Sequence, residues 1–159
     1  MSLVYLTLEQ AIEIHRKTVE VSGGGALGHL ELGKLDSVLH NIQNDEYYMN
    51  FEDKLTHLFF CACKFHSFQD GNKRIAITLC AQMLLLNGYL YCTSRFIQEM
   101  ENISYHVAAG NIDKDLLREV IAAHLVEESD NEALKLKILH AISENAPADS
   151  AHLDSIDTI

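Results

Sequence analysis

Apolar positions recur along this chain with the period of a helix and almost nowhere with the alternation of a strand. Leu8, Ala11, Ile12, His15 and Val19 share one face behind Thr7-Leu8-Glu9-Gln10, which has the form of a capping box, so the spacing predicts a helix over 8–21. Gly23-Gly24-Gly25 ends it. From there to Gly33 glycines break any helical pattern, and His29-Leu30-Glu31-Leu32 alternates as a short exposed hairpin arm would. Leu35, Val38, Leu39 and Ile42 restore the helical period, and Asn44 to Asn50 is a loop carrying two tyrosines.

The next helix is expected over 52–65, with Leu55, Leu58, Phe59, Ala62 and Cys63 on one face. His66 falls at the end of that stripe and should point inward. Ile75 to Leu86 is apolar almost all round, which marks a central buried helix. Asp70 and Asn72 both suit its N-cap, and Asn87-Gly88 its C-cap. Tyr89 to Cys92 reads as a short extended link. Phe96, Met100, Ile103 and Val107 predict a helix that Gly110 stops, and Leu117, Val120, Ile121 and His124 another. Ser129-x-x-Glu132 has the form of a second capping box, opening a helix with Leu134, Ile138, Ala141 and Ile142 on one face. The expected fold is therefore all-α, without internal repeats. One domain covers 1–125, an additional C-terminal helix 126–145, and an acidic, disordered tail 146–159.

Composition narrows the function classes. A chain of 159 residues, 48% of them apolar, can bury a core as one domain. A net charge of −11 argues against nucleic acid or an anionic membrane as partner. Much of that charge sits in residues 126–159, which hold two basic and eight acidic side chains. The four cysteines lie inside apolar runs without the paired spacing of a zinc site, and no signal peptide is seen, so reduced thiols in a cytoplasmic protein are expected. The longest apolar run is too short to span a bilayer.

Candidate chemistry is concentrated between the two best helices, in His66-Ser-Phe-Gln-Asp-Gly-Asn-Lys-Arg74. A helix starting near Asn72 presents free N–H groups and a positive dipole end at residues 71–74. Gly71 allows close approach, and Lys73 and Arg74 add positive charge, a combination that suits a polyphosphate. Asp70 would repel a bare phosphate, and a Mg²⁺ between them resolves the conflict. His66 is the nearby residue able to take a proton from an attacking hydroxyl at neutral pH. Each piece alone has a plainer reading: a histidine at a helix end is commonly structural, and Asp-Gly-Asn is commonly a turn. Two cations at a helix start, however, have the wrong sign for the dipole, and that argues for a bound anion. The loop lacks the approach and the Lys-Ser/Thr pair of a Walker P-loop.

His66-x-Phe68-x-Asp70-Gly71-Asn72-Lys73-Arg74 resembles the signature of the Fic/Doc (Fido) family, H-x-F-x-[DE]-G-N-x-R. The likeness extends over roughly 5–125, and Gly23-Gly24, the Gly28 to Gly33 segment and Asn87-Gly88 resemble the Doc (death-on-curing) branch. The resemblance implies a Fido helical bundle around a central helix, with a short β-hairpin flap, using ATP and Mg²⁺. It implies His66 as catalytic base, Phe68 as an anchor in the core and Asp70 as metal ligand, with Gly71, Asn72, Lys73 and Arg74 on the phosphates. Gly28, His29, Leu30, Glu31 and Leu32 would form the flap that aligns a target segment by strand addition. AMP-transferring members usually carry Gly where this chain has Lys73, and a second Arg where it has Ile77. The Doc branch shares the pattern found here and moves the γ-phosphoryl group. The resemblance thus favours a protein-phosphorylating toxin of a toxin–antitoxin pair, acting on a target hydroxyl, with the branch pointing to the translation machinery and to a separate antitoxin as partner. AMP transfer is the alternative, and a catalytically idle nucleotide- or partner-binding module is a third reading.

Many Fic proteins also carry an inhibitory helix with [ST]-x-x-x-E-[GN]. The nearest segment here is His140-Ala-Ile-Ser-Glu144-Asn145, with His140 where Ser or Thr should stand, so Glu144 is a candidate inhibitory residue. The helix over 130–145 is favoured as a packing element, since an amphipathic stripe needs only a core to face. His57 and Cys61 have a metal-compatible spacing without a third ligand in sequence, and Cys61 reads as a packed core thiol. Tyr47 and Tyr48 fit either target contact or loop cover.

Overall fold

The computed structural model describes residues 2–21, 32–64, 72–126 and 131–144; the side chains of Val19, Leu32, Asn72 and Lys73 lie outside that description. Among the described residues there are α-helices and no strands. They are α1 (Leu8–Val21), α2 (Leu32–Asn41), α3 (Phe51–Cys63), α4 (Asn72–Leu86), α5 (Leu90–Ala108), α6 (Lys114–Leu125) and α7 (Glu132–Glu144). No described helix is long and apolar enough to cross a membrane.

α1 starts where the capping box places it. Thr7 Oγ1 accepts from the Gln10 backbone N–H at 3.1 Å, and Gln10 Oε1 accepts from the Thr7 N–H at 3.0 Å, so each residue satisfies a backbone donor of the other. Asn50 caps α3 through Asp53 N–H, and Asp113 caps α6 through Leu116 N–H. α4 packs against α1, α3 and α5. Ile75, Ala76, Leu79, Cys80, Met83 and Leu84 are all fully buried, a spread that leaves little of its circumference to water. α6 lies along α3, and α7 rests on α6 through buried Leu134, with Ile138 and Ala141 packed against the same core.

The turn at Asn87-Gly88 does more than end α4. Gly88 sits at φ +85°, the left-handed conformation in which a side chain is strained. The Asn87 side chain reaches back to the first residues of the chain: Oδ1 accepts from Val4 N–H at 2.8 Å and Nδ2 donates to Val4 O at 2.9 Å. One amide thus pairs both backbone groups of Val4 and ties the segment before α1 to the end of α4.

Three sequence expectations are corrected here. Tyr89 to Cys92 is not an extended link; α5 begins at Leu90, immediately after the Gly88 turn. Its aromatic and β-branched residues look strand-like, but Tyr89 stacks on Phe51 with ring centroids 4.9 Å apart and Thr93 donates to Tyr89 O, which fixes a helical first turn. Leu32, assigned to the hairpin flap, instead opens α2, which takes Gly33 into its first turn; Gly28 to Glu31 lie outside the described residues. Glu132 is the first residue of α7 rather than the third of a helix capped by Ser129, and the side chain on Leu134 N–H is that of Asn131, at 3.0 Å. Asn and Ser both suit an N-cap, and spacing alone favours the one with a glutamate three residues on.

One buried charge fastens the face made by α2, α3 and the loop between them. Lys54 is 1% exposed, and its Nζ donates to Ile42 O at 2.7 Å and to Asp45 Oδ1 at 2.8 Å, with the Tyr5 ring 5.5 Å away. Burial pushes its pKa down, but the hydrogen bonds to Asp45 and Tyr5 outweigh that and hold it above the ordinary lysine value. The stem fills core volume while the ammonium satisfies a carbonyl at the end of α2. Lys54→Ala should therefore cost ~2–4 kcal/mol, through the cavity and the carbonyl left bare. Lys54→Met keeps the volume and should lose roughly half as much. Urea unfolding of both variants checks this; a Lys54→Met protein as stable as the wild type would show that the ammonium contributes nothing, and equal losses in the two variants that the stem contributes nothing.

Candidate functional site

The signature segment begins where α3 ends and finishes inside the first turn of α4. Lys64 closes α3, its N–H bonded to Ala62 O and Cys61 O, and α4 starts at Asn72. His66, Phe68, Asp70 and Gly71 lie outside the described residues. Asn72 and Lys73 belong to α4 by backbone, and Arg74 is exposed one step further on, its carbonyl accepting from Thr78 Oγ1. α4 carries no acidic residue in its first turn, whereas α1, α3, α6 and α7 each place at least one there. The free N–H groups and positive dipole end of α4 thus meet, within its first turn, a sequence with Lys73 and Arg74 and no acidic residue. Ile77, which stands where AMP-transferring relatives of the signature carry a second Arg, is 5% exposed and belongs to the core.

The fit of Mg²⁺ and a triphosphate rests on the residues present. Exposed Arg74, in a first helical turn free of acids, suits phosphate oxygens, and Asp70, which lies outside the described residues, would supply the hard carboxylate oxygen that Mg²⁺ takes. Among the described residues no group of three or more His, Cys, Asp or Glu side chains could hold a metal ion. His57 and Cys61 therefore have no third ligand among the described residues.

Those two residues belong to a cluster that periodicity did not reveal. His57, Phe60, Cys61 and Lys64 line one flank of α3, facing the start of α6. Lys114 Nζ lies 2.8 Å from His57 Nδ1, and Cys61 Sγ lies 3.6 Å from Nε2. An ammonium can only donate, so His57 Nδ1 must be the bare acceptor and the ring is neutral. Tyr48 stacks on that ring with centroids 4.5 Å apart, which makes it loop cover, whereas Tyr47 beside it is 77% exposed. A concavity of about 310 Å³, lined by Asn41, Asn44, Tyr47 and Tyr48, adjoins the same ring. Cys61 is only half-buried and touches an imidazole, so it is less of a core thiol than its apolar run implies. Periodicity could not find Lys114, because it comes from a helix more than fifty residues away in sequence and lies off that helix's apolar stripe.

Elsewhere, a cavity of about 240 Å³ lies between α5, α6 and α7, with Glu99, His124 and Lys135 among its walls. Glu144, the candidate inhibitory residue, is exposed at the end of α7, its Oε1 3.3 Å from His140 Nε2.

The model of the Fic/DOC family matches residues 5–84, half of the chain and the part that contains α1 to α3, most of α4 and the whole signature, so the chain belongs to the Fic/DOC family. Proteins of this family generally transfer nucleotide or phosphate groups onto proteins. No curated protein and no solved structure matches the chain significantly.

The His57 cluster predicts an acid-sensitive fold. Burial, aided by the Lys114 cation, pushes the His57 pKa from 6.5 down to about 4. Folding therefore favours the neutral ring: the stabilisation is complete above pH 6.5 and is lost as pH falls toward 4. Burial lowers His15, His106 and His124 as well, in the same sense. The thermal midpoint of the wild type should drop across that window, and His57→Asn should make the drop shallower. Equal slopes in the two proteins would contradict this account of His57.

Proposed function

We propose that this Fic/DOC protein moves the γ-phosphoryl group of Mg·ATP to a hydroxyl of a target protein, as the cytoplasmic toxin of a toxin–antitoxin pair. The observation that carries this reading is the intact signature from His66 to Arg74, inside the residues matched by the family model and leading into a helix whose first turn has Lys73 and Arg74 and no acidic residue. Buried Ile77 favours phosphoryl over AMP transfer, since the second arginine clamp of the AMP-transferring pattern has become a core residue.

In this reading α4 is the central helix of the Fido bundle. The N–H groups of its first turn, with Gly71, Asn72, Lys73 and Arg74, hold the phosphates. Asp70 holds Mg²⁺, which when bound offsets charge on the phosphate oxygens. Gly28 to Glu31, just before α2, form the segment that positions the target chain beside the loop. His66 takes the proton of the target hydroxyl as its oxygen bonds to the γ-phosphorus; the bond from phosphorus to the bridging oxygen breaks, and ADP leaves. Phe68 anchors the loop. Glu144, paired with exposed His140, keeps α7 as the candidate inhibitory element, while buried Leu134 supports its packing role.

ATP labelled at the γ position should label the target, ATP labelled at the α position should not, and His66→Ala should reduce labelling by about 10²–10⁴-fold. Label from the α position alone would replace phosphoryl with AMP transfer. Labelling unchanged in His66→Ala would remove His66 from the chemistry and favour an idle module.

A further inference from the structure

Where the end of α3 meets the start of α6, two cations have no acid to answer them among the described residues. Lys64 Nζ lies 5.4 Å and Lys114 Nζ 6.0 Å from the centroid of the same ring, Phe60. Lys114 meets in addition the Tyr48 ring at 5.7 Å and the bare nitrogen of His57. Among the described residues neither ammonium has a carboxylate within ion-pair distance, although Lys54, Arg118 and Lys137 each have one and the chain carries 23 acids against 12 bases. In so acidic a protein, two lysines converging on one aromatic face without a counter-charge form a local positive spot. Phe60, Lys64 and Lys114 are all half-exposed, so water and solutes reach them.

Position says what the spot serves. Lys64 is two residues from His66, and Lys114 begins the helix that packs on that end of α3. On the other side Tyr48 joins the spot to the concavity lined by Asn41, Asn44 and Tyr47, and exposed Tyr47 and Met49 stand beside it. Cations, amides and exposed apolar side chains along one surface suit an extended peptide with acidic side chains rather than a compact anion. We infer that Lys64 and Lys114 dock an acidic segment of the target protein, flanking the hydroxyl to be modified. Naming the partner as the target rests on the transferase reading; the acidic peptide chemistry of the spot does not.

The probe is a fluorescent hexaglutamate peptide, its binding followed by anisotropy at low salt, beside calorimetry with Mg·ATP on the same proteins. The wild type should bind the peptide and release it as salt is raised. The double variant Lys64→Gln, Lys114→Gln should bind it about fivefold to tenfold more weakly, with Mg·ATP affinity unchanged. Lys17→Ala, which removes an exposed lysine of α1, should bind like the wild type and shows that overall charge is not the cause. Circular dichroism confirms that the double variant is folded. No peptide binding by the wild type, or equal binding by the double variant, would overturn the inference. A double variant that loses peptide and Mg·ATP together would assign the spot to the nucleotide instead. Peptide binding that depends on both lysines in a protein with no affinity for Mg·ATP would uphold the spot and refute the transferase reading.

Discussion

The burial of α3 against α4 is the constraint from which the rest of this protein follows. Leu55, Leu58 and Phe59 on one helix and Ile75, Leu79 and Met83 on the other are fully enclosed, and moving either helix would open that core. The residues joining Lys64 to Asn72 therefore start and finish at fixed points. A short polar stretch between two such anchors can carry unfavourable local choices, such as cations at a helix N-terminus, because the core on either side tolerates them.

Charge is placed with the same economy. The α3–α6 pairing is laced at one end by Arg118 with Asp53 and Glu52, where both signs are present. At the other end, next to the signature, the lysines face aromatic rings and a neutral imidazole instead. One helix pair thus has a neutralised end that serves stability and a positive end left for other charges. Lys54 belongs to neither: its ammonium closes off α2 and sets the loop that presents Tyr47 and covers His57 with Tyr48.

Much of the fold was legible in the chain because most of the described helices carry a 3.6-residue signal or a clear cap. Thr7 and Gln10, Asn87 and Gly88, and Gly110 act where their chemistry says they should. The misreadings at Leu32, Tyr89 to Cys92 and Glu132 share a cause: local propensity was asked to decide a boundary that packing or a competing cap decides. Of the candidate site, the signature is legible because its residue types are rare together, and the family match over residues 5–84 agrees with it. The Lys64–Phe60–Lys114 convergence was not legible, since it depends on which flank of α6 meets α3, a fact of tertiary register with no trace in spacing.

The central claim is that the stretch from Asp70 to Arg74 grips a magnesium-bound triphosphate. Isothermal calorimetry of Mg·ATP with the wild type and with Arg74→Ala tests it most directly. The account predicts binding by the wild type that requires magnesium and is weakened about tenfold or more in the variant. Absence of any heat of binding for the wild type, or equal affinity with and without Arg74, would contradict it.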